Sequence, residues 1–498
     1  MNLAHLIDDH PADRVALISR GLPTTYGELR AQVAAMRRAL GALGIVRGDR
    51  VAVACGNGVH FVVSYLAALG VGAVVVPLNP TSPAPELERE LAVVTPKVIV
   101  LEPVAAATWQ GIDAAIAATI PHVIVTEGQA IEGAVAFDTL LEGGGDALAI
   151  ADVRVDDLAV LIFTSGTAGA PRAAMLSHGN LLANLAQAQT AREKILPTDV
   201  IYCVLPLHHI FGLNVVLGLS LQLGATVVLA QRFDPATALD TIAERGVTIV
   251  PGAPPMWVSW SMFADAPADS LSTVRLAFSG AAKLPELAAS RVREHFGLTV
   301  SEGYGLTEAA PSVTSASGIP ARPGSIGKVL DGIEIRLVDE QGDDVLRGDS
   351  GEIWLRGPNI FQGYLGDAEA TARALTVDGW LRTGDIAVSD DDGYLYLVDR
   401  AKDLIIVSGF NVYPAEVEEV LAEHPGVAEV AVVGVPHPHS GEAVKAYVVA
   451  EAGVHLDEEQ LIAHCADNLA RYKCPNKILF VDELPRGLSG KLLRRELT

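Results

Sequence analysis

Short, fully apolar runs alternate along the first two thirds of this chain with longer segments whose apolar positions recur at helical spacing. The runs VAVAC (Val51–Cys55), AVVVPL (Ala73–Leu78), KVIVLE (Lys97–Glu102), HVIVT (His122–Thr126), LAVLIFTS (Leu158–Ser165), ATVVLA (Ala225–Ala230), TIVPG (Thr248–Gly252) and VRLAFSG (Val274–Gly280) read as buried strands. Between them Tyr26–Leu43, Leu181–Lys194 and Pro285–Phe296 read as helices. Strands apolar on both faces, alternating with helices, predict an α/β fold of mainly parallel sheets covered by helices. Phe61–Leu78 is as apolar as a short membrane span. Gly70 and Gly72 nevertheless break it into a helix and a β-branched strand, and Leu213–Ala230 repeats that design around Gly224. No transmembrane segment is expected.

From about Gly324 the texture changes to shorter, half-polar strands (IGKVL, IEIRLVDE, GEIWLRG, GYLYLVDR) separated by Gly and Asp turns, the pattern of a small antiparallel barrel or sheet. After Arg400 an amphipathic helix (PAEVEEVLAEH) precedes two strands, VAEVAVVGV and AVKAYVVAE. The expected organisation is a large N-terminal domain over 1–401, containing a β-barrel subdomain over about 324–400. A smaller α+β C-terminal domain would cover 402–498.

Composition narrows the function. The 36 Lys+Arg against 60 Asp+Glu leave a formal charge of −24 over 498 residues, which argues against a nucleic-acid or anionic-membrane binder. The four cysteines form no CxxC pair, so neither a disulfide framework nor a thiolate metal site is expected, and a reducing, cytoplasmic setting fits. Seven of the eight basic residues after Asp403 lie between Arg471 and Arg495. Such a cluster suits an anionic ligand or, equally, a solvated surface.

The segment LIFTSGTAGAPRAAMLSHGNL, Leu161 to Leu181, runs an apolar strand into Thr164-Ser165-Gly166-Thr167-Ala168-Gly169, then Pro171 and Arg172, with a helix beginning near Ser177. Free backbone N–H groups and hydroxyls in such a loop can cradle phosphate. It is no Walker loop, since no Gly-Lys-Ser/Thr follows. Further motifs come in order: LPLHHIFG (Leu205–Gly212), EGYGLTE (Glu302–Glu308), LRTGD (Leu381–Asp385), DRAKD (Asp399–Asp403), SGFNVYPAEVE (Ser408–Glu418) and PRGLSGK (Pro485–Lys491).

This series resembles the adenylate-forming superfamily, which includes acyl-CoA synthetases, luciferases and peptide-synthetase adenylation domains. The resemblance implies ATP, Mg²⁺ and CoA as cosubstrates and assigns roles to residues. Thr164, Ser165, Gly166, Thr167, Gly169 and Arg172 would hold the phosphates. Tyr304, between Gly303 and Gly305, would stack on adenine, although a tyrosine there also suits a buried core. Thr307 would contact the α-phosphate, Glu308 the metal, Asp385 the ribose hydroxyls, and Arg400 the ribose and phosphates. Lys491 would bridge carboxylate and α-phosphate, where two anions must meet and charge builds during attack. Lys402 would be a hinge, and Gly409 would line a thiol tunnel gated by His209.

The acyl pocket would be formed by His209, Trp257, Ser279, Gly280, Ala281, Ala282 and Gly303–Gly305, apolar or small apart from His209, with Trp257 either shortening it or filling core. The acid expected is a neutral, apolar one, fatty or aromatic. Arg172 stands where the family usually has Lys, Ala173 where it has Gly, and Ala168 replaces a Thr. Three functions stay open: an acyl-CoA synthetase, a stand-alone adenylation enzyme loading a carrier protein, and a degenerate, non-catalytic nucleotide-binding protein. The sequence is silent on oligomeric state.

Overall fold

The computed structural model describes the chain except residues 128–130, 146–147, 165–170, 264, 401–404, 408–409, 413, 438–440, 470–472, 487–491 and 498. It describes the main chain alone at 399, 400, 406, 410, 411, 441 and 495. Two compact units emerge. The first comprises Met1–Pro323, Val329–Glu334 and Arg356–Leu381, and the second Gly324–Lys328, Ile335–Leu355 and Arg382–Thr498.

The first unit holds two seven-stranded sheets. In one, Val300–Glu302, Leu276–Ser279, Ile249–Gly252, Val200–Cys203, Thr226–Leu229 and Val15–Ser19 run parallel, and Leu22–Thr25 closes the edge as an antiparallel hairpin. In the other, Val135–Ala136, His122–Val125, Val98–Leu101, Arg50–Ala54, Val74–Pro77 and Leu158–Thr164 are parallel, with Arg172–Ser177 antiparallel at the edge. The chain passes from Arg50–Ala54 to a neighbour on one side, then crosses to Val98–Leu101 on the other, so the strand order reverses between these two. The inner strands of both sheets, such as Val74–Pro77, Val98–Leu101 and Ile249–Gly252, are buried on both faces, as their uninterrupted apolar runs require.

The suspect apolar segment resolves as expected into a helix, Val59–Gly70, and the strand Val74–Pro77, both within the core. Among the described residues no helix is long and apolar enough to cross a membrane. The second such segment differs. Phe211–Gly218 winds as a π-helix before a short α-helix, Leu219–Leu223, capped by Gly224 at φ 76°. A further correction concerns Arg172–Ser177. The strand–loop–helix expected there contains a second strand, so residues 165–170 lie between the arms of a hairpin rather than directly before a helix. RAAMLS is too short and mixed to announce itself; pairing along Leu158–Thr164 forms it. Ser177 then caps the helix His178–Ala188 through a reciprocal bond with Asn180.

In the second unit the expected barrel takes the form of a four-stranded sheet, in the order Glu334–Val338, Gly351–Arg356, Leu381–Ser389, Leu395–Arg400. Next comes a five-stranded sheet whose central strand, Gly441–Ala450, pairs with Val427–His437, Ile405–Val407 and Lys477–Phe480. Helices Pro414–Ala422 and Glu458–Asn468 cover an aliphatic core with Val417, Leu421, Val432, Val448 and Leu461. The 401/402 boundary expected from sequence falls on residues outside those described.

Candidate active site

The hairpin places Thr164 opposite Arg172 at the two ends of the glycine-rich loop. Ser165, Gly166, Thr167 and Gly169 themselves lie outside the described residues, as do Lys402, Gly409 and Lys491, and Arg400 is described by its main chain alone. Arg172 turns toward Asp367, donating from Nε to Oδ2 over 3.2 Å, and its guanidinium lies 5.9 Å from the centre of the Tyr364 ring. Tyr364 in turn donates its hydroxyl to Glu308 Oε1 over 2.6 Å. Burial and the neighbouring Glu308 carboxylate raise the phenol's pKa, so it stays a donor. Asp367, Arg172, Tyr364 and Glu308 thus form one connected array. Tyr364 and Asp367 were invisible to motif reading, because only the fold brings GYLGD beside the LTE turn.

Thr307 and Glu308 begin a single 3₁₀ turn, Thr307–Ala309, that buried amides hold in place. Asn359 donates to the Ala309 carbonyl (2.8 Å) and Asn214 to that of Ala310 (2.7 Å). Asn184 donates to the Ser312 carbonyl (2.7 Å) and accepts from its N–H (3.0 Å). Ala310 itself sits at φ 69°, a conformation an alanine adopts at a cost that these bonds offset.

Tyr304 is 8% exposed, and its N–H donates to Thr314 Oγ1 over 3.0 Å. Its flanking glycines are required by close approach. A Cβ on Gly303 would lie 2.9 Å from the Thr314 carbonyl oxygen, and one on Gly305 only 2.3 Å from that of Pro311.

His209 accepts at Nδ1 from the Phe211 N–H (3.2 Å), leaving Nε2 to carry the proton of the neutral ring. Its neighbour His208 is pushed down to about 4 by burial, with His209 adding to the effect. The LPLHH segment hangs on Asn57, which donates to the carbonyls of Cys203, Leu205 and Ala230 and accepts from the Leu207 N–H, at 3.0–3.1 Å.

The expected acyl pocket divides between two faces of one sheet. Gly252 and Ser279 are register partners, as are Pro251 and Phe278, so the two pairs face opposite ways. Trp257, fully buried, places Nε1 2.8 Å from where a Gly252 Cβ would be, and packs edge-on against Trp260 within the helix-covered core. Phe211 lies 3.0 Å from where a Gly280 Cβ would be and 6.1 Å from Phe278, ring centre to ring centre. Trp257 therefore belongs to the core face, whereas Phe211, Phe278 and Gly280 share the other. The alternation in AFSG was the signal that would have found Phe278. Ala281 and Ala282 continue from Gly280 as exposed residues, Ala281 at φ 74°.

In the second unit Asp385 is buried at 8% exposure. The turn before it is fixed by Thr383, which donates to the Ile353 carbonyl (2.8 Å) and accepts from the Asp385 N–H (3.1 Å). Across the ladder its register partner is Arg400. Within the basic cluster, Lys473 pairs with Glu416, Lys477 with Glu458, Arg486 with Glu429, and Arg494 with both oxygens of Glu418. These four bind the unit's own acids, which favours the structural reading of the cluster.

Comparison with known proteins identifies the family. The AMP-binding enzyme family matches residues 3–365, and the AMP-binding enzyme C-terminal domain matches 416–491. A feruloyl-CoA synthase from Amycolatopsis sp is 37% identical over 96% of this chain and 94% of its own length. A long-chain-fatty-acid–CoA ligase from Yersinia pestis is 36% identical over 98% of this chain and 91% of its own. The ATP-bound crystal structure of MatB from Rhodopseudomonas palustris superimposes with a TM-score of 0.92 at 34% identity, covering 100% of this chain and 98% of that one. The chain therefore belongs to the adenylate-forming superfamily, as an AMP-forming acid–CoA ligase of the acyl-CoA synthetase type.

Proposed function

We propose that the chain activates an apolar carboxylic acid, aryl or fatty, to its acyl-adenylate and passes the acyl group to CoA. The carboxylate oxygen attacks the α-phosphorus of ATP and pyrophosphate leaves. The CoA thiolate then attacks the acyl carbonyl and AMP leaves. The observation that carries the choice of acid is the Phe211–Phe278–Gly280 face, aromatic and small and without a charged side chain among those three. The relatives named for ferulate and for long-chain fatty acids support the same class.

Lys491 is the residue proposed to neutralise the meeting carboxylate and phosphate, Thr307 to contact the α-phosphate, and Tyr304, Asp385 and Arg400 to hold the nucleoside. His209 and Gly409 would admit the thiol, and Lys402 would be the hinge. Among the described residues no cluster of three or more His, Cys, Asp or Glu could hold a metal. A single hard carboxylate, Glu308, beside bound phosphates is nevertheless what Mg²⁺ takes. When bound, that ion would neutralise phosphate charge. Glu308, whose carboxyl group is oriented by the Tyr364 hydroxyl, would hold it.

The test is pyrophosphate release with MgATP across short, medium, long-chain and aryl acids, with and without CoA, beside a Lys491→Ala control. Turnover requiring both an apolar acid and CoA is expected. Pyrophosphate exchange without CoA-dependent turnover would replace CoA by a carrier-protein thiol.

A further inference from the structure

The first unit contains a cavity of about 360 Å³, lined by none of the residues to which a catalytic or binding role is given above. It opens at the carboxyl ends of Val15–Ser19, Arg50–Ala54, Val98–Leu101 and His122–Val125. This includes the point between Arg50–Ala54 and Val98–Leu101 where the strand order reverses. In open α/β sheets such a reversal leaves a crevice outside the strand ends, the usual position for a small ligand. The loop Cys55–Gly58 forms one wall and leads into the helix Val59–Gly70, which no side chain caps.

The lining states which chemistry fits. Anions are disfavoured: Glu102, Glu127 and Asp138 all line the cavity, and the one guanidinium, Arg20, is already paired with Glu127 at 2.8 Å. Glu102 accepts the Gly56 N–H, so that donor is already taken by a carboxyl group of the chain itself. Burial raises the Glu102 pKa, as expected of a carboxylate short of a counter-cation. Burial also lowers the pKa of His60, which sits edge-on to Phe137 at 4.8 Å, so its ring adds no positive charge. Thr126, 5% exposed, also lines the cavity, and its hydroxyl has no partner. Leu22, Pro23, Val59, Pro103 and Leu141 supply apolar walls.

We propose that this cavity is a second small-molecule site, distinct from the catalytic one, which takes an amine with an apolar or aromatic body. The ammonium group would face Glu102 and Asp138, and the body would lie against Val59, Phe137 and Leu141. ATP, CoA and the acid are all anions, so none of the ligase's own substrates suits it.

The test is calorimetric titration of the full-length protein with 2-phenylethylamine, and with the neutral isostere 2-phenylethanol, with and without saturating MgATP and CoA. One amine is expected to bind per chain, at least about tenfold tighter than the alcohol. MgATP and CoA should not displace it. Glu102→Gln should weaken the amine about tenfold and leave the alcohol unchanged, while Leu141→Trp, which fills the cavity, should abolish both. Asp138→Asn, at an exposed position, provides a second charge variant should Glu102→Gln fold poorly. Ligase turnover measured on the same preparations should be unaffected by these variants. The proposal fails if neither probe binds at millimolar concentration, if amine and alcohol bind alike, or if MgATP displaces the amine.

Discussion

The polar groups of the first unit fall into two sets. One is the array Asp367–Arg172–Tyr364–Glu308, an ion pair beside a phenol that donates to a second acidic side chain, all partly exposed. The other is a lattice of buried neutral side chains, Asn57, His178, Asn180, Asn184, Asn214 and Asn359, whose bonds reach main-chain groups of distant segments. A buried amide that bonds several carbonyls specifies one packing, because leaving any of them unpaired is expensive. A carboxylate at the surface can instead exchange its partners for ligand. The lattice therefore sets where Glu308 sits, and the array sets what Glu308 does. Substitutions in the array should cost activity at constant stability, and those in the lattice should cost stability first.

The largest separation is expected at Glu308. Glu308→Gln keeps the shape and the Tyr364 bond but removes the charge, and should lower kcat/KM by about 10²–10³ while the urea midpoint stays within error. A fall in the midpoint comparable to a lattice variant's would erase the distinction.

His178 tests the other set through pH. It is fully buried, its Nδ1 accepts the Leu3 N–H (3.2 Å), and its Nε2 has no partner. Burial lowers its pKa from 6.5 to about 4. The folded chain thus refuses a proton that the unfolded chain accepts. The neutral ring's contribution is complete above about pH 6.5 and is lost as the pH falls toward 4, roughly 3 kcal/mol in all. Urea unfolding at several pH values should show a slope in that window, flattened in His178→Gln. An identical slope in the variant would count against it.

Asn57→Ala follows, at about 2–3 kcal/mol of stability, since it removes the side-chain donor to the Leu205 and Ala230 carbonyls and the acceptor of the Leu207 N–H, while the Cys203 carbonyl keeps the Ala230 N–H. Activity should fall only as the folded fraction falls. A kcat loss in fully folded protein would mean that the LPLHH segment needs Asn57 for more than support.

Tyr364→Phe probes the link inside the array. Without the 2.6 Å bond Glu308 is free to rotate, so the Mg²⁺ concentration for half-maximal rate should rise about tenfold, ~1.4 kcal/mol. Mn²⁺ binding followed by electron paramagnetic resonance with a non-hydrolysable ATP analogue should weaken in parallel, with an unchanged melting temperature.

How far sequence reading reached follows from the same division. The eight apolar runs were legible as strands because burial on both faces leaves an uninterrupted apolar run, and the helix start near Ser177 was legible too, whereas Val15–Ser19, Val200–Cys203 and Arg172–Ser177 were not read as strands. Gly303 and Gly305 were legible as a pair around Tyr304, although the carbonyls that require them, on Thr314 and Pro311, belong to the following turn. Asn57, Asn184 and Tyr364 carried no local signal, because their partners lie in segments that only folding brings near. The basic cluster stayed ambiguous for the same reason. Arg494 finds Glu418 across the fold of the second unit, and spacing along the chain gives no hint of it.

The smallest expected effect is at Arg172, the departure from the family's lysine. Here the planar guanidinium serves Asp367 from Nε while lying near the Tyr364 ring, two contacts a point ammonium cannot make in the same geometry. The arginine is therefore tied to this chain's Asp367 and Tyr364 and is not simply a weaker phosphate ligand. Arg172→Lys should loosen both contacts at a partly exposed site, raising the KM for ATP about two- to threefold with kcat nearly unchanged. In the Tyr364→Phe background the same substitution should cost less than it does alone, because the ring that Arg172 lies against would no longer be held by Glu308. Strict additivity of the two changes would show that Arg172 acts on the loop by itself, and the array would then divide into two independent pairs.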